Sequence, residues 1–183
     1  MQHVAIRALF LAIAAAATAG GAALIARPID PALFPARILA AHNTERARAG
    51  AAPVAWDPLL ANGAAQYAAV IAATGNFTHS TKAIRPGIGE NLWMGTRGYY
   101  SVEAAIAAWI GERRYFIPGI FPANSTTGDW MAVSHYTQII WPTTTRIGCA
   151  MASNRGADYL VCRYAPKGNI DGRPVGYAPP ERG

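Results

Sequence analysis

Three stretches of the chain repeat their apolar positions at helical spacing and a fourth alternates as strands do, with glycine, proline and small polar residues between them. The first helical pattern covers residues 36–49 and stops at Gly50, a residue suited to the position just past a helix end. Leu39, His42, Asn43 and Arg46 then share one face. The second pattern is better delimited. Asp57 can cap it, Pro58 suits its first position, and Leu60, Ala64, Tyr67 and Ile71 form a stripe that ends near Gly75. The third starts at Ser101 as cap, presents Val102, Ile106, Trp109 and Ile110, and fades near Tyr115. The first two helices are expected to pack on something flat.

The alternating stretch supplies the flat surface. IGCAMA and YLVCRY flank the turn-rich residues 153–158, and a hairpin centred on Arg155 and Gly156 sets Cys149 opposite Cys162. A Cys149–Cys162 disulfide closing this short loop is expected to contribute about 2 to 3 kcal/mol; two buried free thiols are the alternative. HYTQIIW, just before the hairpin, fits a helical turn or a strand equally well. Residues 116–133, rich in Pro, Gly, Ser, Thr and Asn, read as a long surface loop of the kind that borders a binding cleft. Helices flanking a few antiparallel strands make the class α+β, most simply a three-layer alpha-beta-alpha sandwich with a small antiparallel sheet.

Composition adds a compartment. Residues 1–26 carry Arg7, an apolar run from Ala8, and small residues at Ala17-Thr18-Ala19, the layout of a secretory signal peptide; an uncleaved N-terminal anchor is the rival reading. Either way the remainder is expected to be exported, extracellular or periplasmic, and membrane association is expected only if that segment stays uncleaved. Residues 27–37 read as a linker, 38–177 as one domain, and 178–183 as a tail. The formal charge of +6 is carried by scattered arginines rather than a basic stripe, so no nucleic-acid partner is expected.

Local enzyme signatures such as H-E-x-x-H or G-x-S-x-G are absent. Outside the N-terminal segment the histidines are His42, His79 and His135. His79, Glu90, Glu112 and His135 offer two imidazoles and two carboxylates, a credible set for zinc or another divalent metal if they meet, although spacings of 11, 22 and 23 residues carry no metal signature of their own. Glu112, one turn beyond Trp109, sits at the rim of an apolar face, where a partly desolvated carboxylate wants a partner, although a rim glutamate that merely reaches water is the commoner case.

Four separated motifs, in order, carry a resemblance: AHNTERARAG with its H-N-x-x-R at His42, Asn43 and Arg46; GENLW from Gly89; HYTQIIWPTT from His135; and YLVCRYAPKGNI from Tyr159. Over about residues 38–177 the chain resembles the superfamily of cysteine-rich secretory proteins, antigen 5 and pathogenesis-related 1 proteins. Ser134 stands where many members have Gly, and only two cysteines remain, which suggests a minimal, bacterial member. The resemblance implies an alpha-beta-alpha sandwich with an open cleft in which His79, Glu90, Glu112 and His135 converge, while His42 and Asn43 are a structural polar pair. It also implies a secreted binding module that takes up a divalent metal and a lipid, sterol or cell-wall ligand. The alternatives are a metal-dependent hydrolase with Glu90 or Glu112 as general base, and a cleft organised only by His-to-Glu hydrogen bonds, with no metal.

Overall fold

The computed structural model describes residues 32–176; the expected signal peptide or anchor and the expected tail lie outside them. Helix α1 (Phe34–Arg48) begins inside the expected linker, because Pro35 falls in its first turn, where a missing N–H breaks no helical bond. It buries Ile38, His42, Glu45 and Arg46, with Leu39 and Asn43 half-buried at the edge of that face. Strand β1 (Ala55–Trp56) leads to α2 (Pro58–Thr74). Asp57 caps α2 by accepting from the amides of Leu59 and Leu60, and Gly75 ends it at φ 71°, the left-handed conformation a side chain disfavours.

Strand β2 (Gly89–Thr96) precedes α3 (Val102–Ile110), which tightens into a 3-10 turn over Gly111–Tyr115. Strand β3 (Gly119–Ile120) and a 3-10 turn at Trp130–Val133 lead to α4 (Ser134–Ile139), resolving HYTQIIW as helical. Strands β4 (Arg146–Ser153), β5 (Ala157–Ala165) and β6 (Pro174–Val175) complete the order. The segment 116–133 is not a free loop. Phe121 and Asn124 are buried, β3 pairs with β6, and Phe121 meets Trp130 and Trp141 edge-on.

The main sheet runs β1-β4-β5-β2, antiparallel except for the short parallel pairing of β1 with β4. Alternation along the central strands feeds two cores. Tyr159 and Val161 face Ala64, Ala68 and Ile71 of α2; Ile147, Leu160, Cys162 and Tyr164 face Ile38, Ile106, Trp109 and Ile139 of the other three helices. This is the α+β three-layer alpha-beta-alpha sandwich. At Gly148 a Cβ would collide with the backbone at Asp57, Leu60 and Ala61, so a glycine there lets the start of α2 lie directly on β4. Cys149 and Cys162 are register partners with Cα atoms 4.1 Å apart, and they form the expected disulfide.

Arg46, wholly buried, fastens α1 to its surroundings through main-chain carbonyls. Its Nε donates to Ala52 O at 2.6 Å, Nη1 to Ile139 O at 2.7 Å and Trp141 O at 3.0 Å, and Nη2 to Thr144 O at 2.9 Å. The C-terminal end of α4, rich in unpaired carbonyls, thereby receives a cation.

Candidate functional site

His79 lies in the extended segment after α2, and its Nδ1–H donates to Glu90 Oε1 at 3.0 Å. Glu90 opens β2, with its side chain fully buried. The Ser80 amide donates to Glu90 Oε1 at 2.9 Å and the Ser80 hydroxyl to Oε2 at 2.6 Å, while Arg85 and Arg163 stand 3.6 Å away. Burial works against the ionised form, but the bonds from His79 and Ser80 and the nearby Arg85 charge outweigh it, holding this carboxyl below the usual range.

On the other side, Glu112 projects from the 3-10 turn after α3 toward the start of α4. Its Oε2 accepts from the amides of His135 (2.9 Å) and Tyr136 (3.1 Å), and its Oε1 accepts from His135 Nδ1 at 2.6 Å. Val133, at the N-cap of α4, supplies no side-chain bond, so Glu112 caps this helix from a different element and aims the histidine at the same time. The His135 ring also stacks on Trp109, centroids 5.9 Å apart and planes 15° from parallel.

His79 and His135 open on one cavity of about 280 Å³, with Trp130 and Met131 at its wall. The four residues therefore meet as two His–Glu pairs rather than as a single four-ligand cluster; among the described residues no group of three or more His, Cys, Asp or Glu could hold a metal ion. Each carboxylate is engaged at the Nδ1 of its own histidine, and neither Nε2 has a hydrogen-bond partner among the described residues. Both glutamates also accept from other N–H or O–H donors, so neither stands free as a general base, and the hydrolase reading loses its support.

Behind the cavity, His42 and Asn43 occupy different roles. His42 is wholly buried, donating from Nδ1 to Ile38 O (2.9 Å) and accepting at Nε2 from the Tyr164 hydroxyl (3.0 Å). Burial pushes its pKa down to about 4, against the pull of the Ile38 carbonyl and with added repulsion from Arg46. Asn43 instead clamps the backbone of Val54, accepting from its amide at 2.8 Å and donating to its carbonyl at 3.0 Å. Tyr164 accepts from Asn91 Nδ2, which also donates to the His135 carbonyl at 3.1 Å. Ser80, Asn91, Tyr164 and Trp109 thus support the pairs. Asn91 and Tyr164 lie inside motifs quoted above, but nothing in the sequence linked them to the histidines.

The three-layer alpha-beta-alpha fold has relatives among known proteins. The model of the cysteine-rich secretory protein family (CAP) matches residues 39–164, and the chain belongs to that family. It is 35% identical over 136 residues to pathogenesis-related protein 1C of Nicotiana tabacum, covering 74% of this chain and 76% of that one. Pathogenesis-related leaf protein 4 of Solanum lycopersicum is 38% identical over 136 residues, covering 74% and 79%. The secreted protein RBT4 of Candida albicans is 34% identical over 142 residues, covering 76% of this chain and 36% of its own. The crystal structure of NaASP2 with Zn2+ superposes with a TM-score of 0.69 at 25% identity, over 79% of this chain and 85% of that one. The venom allergen-like protein 4 of Schistosoma mansoni gives 0.60 at 25% identity, over 79% and 95%. These relatives are not bacterial, and the expectation of a bacterial member finds no support.

Proposed function

We propose that this protein is an extracellular binding module whose cleft takes a divalent metal, zinc first, on the Nε2 atoms of His79 and His135. The carrying observation is that both rings give their Nδ1–H to a carboxylate and face one cavity with Nε2 unpartnered. A carboxylate behind a metal-binding imidazole fixes its tautomer and the orientation of its ring, which is the role the arrangement gives Glu90 and Glu112. Imidazole nitrogens suit zinc, copper or nickel; with two protein ligands rather than four, binding weaker than at a closed structural zinc site is expected. A bound metal would supply a Lewis-acidic anchor for an oxygen of the ligand. The solved relative with Zn2+ favours this reading, and the pathogenesis-related and secreted relatives favour an extracellular location. No helix among the described residues is long and apolar enough to cross a membrane.

A lipid, sterol or cell-wall ligand belongs elsewhere on the surface. The groove of about 540 Å³ beside β2 and α3, lined by Trp93, Met94, Tyr100, Ala104 and Ala108, offers the apolar surface such a ligand needs. Zinc calorimetry on the chain lacking residues 1–26, beside a His79→Ala/His135→Ala variant checked for folding, tests the first reading. One site in the parent and none in the variant is expected, and no binding in the parent overturns it. Sterol uptake should survive the same double substitution; its loss there would place that ligand in the cleft instead.

A further inference from the structure

The chain contains fourteen arginines and two lysines, Lys82 and Lys167, and both lysines line the cavity that holds the two histidines. They come from segments 85 residues apart that the backbone sews together: Arg85 N donates to Lys82 O, Ile88 N to Arg85 O, and Lys167 N to Gly87 O at 3.0 Å. Both side chains are exposed, and no hydrogen bond or ion pair among the described residues engages either one. The single acid on the wall is Glu90, already surrounded by His79, Ser80, Arg85 and Arg163. Arg85 is spent as well, donating to Ser80 and to Ile88 O. The cavity therefore carries two uncompensated ammonium groups, whose mutual repulsion a bound dianion would relieve. Aliphatic ammonium groups act as point charges, well matched to the dispersed charge of a phosphate.

We propose that the cleft binds a phosphate-type oxyanion through Lys82 and Lys167, next to the histidine pair. This deepens the reading of the cleft as a binding site but does not require the metal. Metal-free protein is titrated calorimetrically with inorganic phosphate, with dihexanoyl phosphatidic acid, and with phosphatidylcholine vesicles containing phosphatidic acid. Binding in at least one arm is expected, weakened about ten-fold or more by Lys82→Gln/Lys167→Gln and by added salt, and unchanged by Arg155→Gln on the hairpin turn. Binding of inorganic phosphate identifies a free anion as sufficient; binding confined to the lipid arms identifies a headgroup. No binding in any arm, or equal binding by the double lysine variant, overturns the proposal. Zinc titration of the parent protein keeps the two readings apart: zinc binding with no phosphate binding there sinks this inference alone, and phosphate binding with no zinc binding sinks only the metal.

Discussion

Replacing Arg46 with Met should be among the most damaging single changes in this domain. The substitution keeps an unbranched apolar stem and removes the guanidinium, leaving the carbonyls of Ala52, Ile139, Trp141 and Thr144 without this donor in a buried site. A hydrogen bond to a charged group contributes about 1.5 to 3 kcal/mol, and an orphaned buried acceptor costs about 1 to 3 kcal/mol. Four such bonds are not additive, and removing the cation returns part of its own desolvation cost. A net loss of about 4 kcal/mol remains, against a total stability of about 5 to 15 kcal/mol for a domain of this kind. Arg46→Lys keeps the charge but not the fork that spans three segments, and should lose at least half as much. The assay is urea unfolding followed by tryptophan fluorescence and circular dichroism with the disulfide intact. An Arg46→Met protein within about 1 kcal/mol of the parent would refute the view that this side chain holds α1 to the end of α4.

Acid should weaken the fold through His42. Its proton is excluded from the folded state down to about pH 4 but is taken up by the unfolded chain near 6.5, so its contribution is complete above pH 6.5 and about 3 kcal/mol is lost as pH falls to 4. His42→Gln should flatten urea-derived stability in that window, and an unchanged slope would count against the assignment. Glu112→Ala removes the cap of α4 and the orienting partner of His135; about 1 to 2 kcal/mol of stability and ten-fold or more in zinc affinity should go, read by melts and calorimetry. Cys149→Ala/Cys162→Ala should cost about 3 kcal/mol for a loop of this length while leaving the fold's circular dichroism spectrum intact. Gly148→Ala should lower the melting temperature sharply by lifting α2 from the sheet, whereas Gly156→Ala, with open space around it, should not.

How far the sequence reached depended on whether the signal was local. Asp57, Pro58 and Gly75 mark the ends of α2 in the chain itself, and the same is true of Ser101 for α3 and of the turn that pairs Cys149 with Cys162. Strand β2 was not legible, because its first four residues are buried on both faces and show no alternation. β1 and β6 are two residues each and exist only because a partner strand is present. In the site, the residue types were readable but their pairing was not. Glu112 looked like a rim carboxylate in want of a partner, and its partners turned out to be two amides and an imidazole from 23 and 24 residues further on. The resemblance brought His79, Glu90, Glu112 and His135 to one region, and only coordinates could divide them into two pairs.

The strand order β1-β4-β5-β2 also bears on how this chain can be made. The two outer strands come earlier in the sequence, whereas the two central ones, residues 146–165, follow both of them. Until they arrive β2 lacks the strand it pairs with, and Ala64, Ala68 and Ile71 of α2 lack Tyr159 and Val161. A nascent chain therefore cannot lock this sheet piece by piece in sequence order. The sheet of the described residues closes only when the β4–β5 hairpin enters between strands that precede it in the chain.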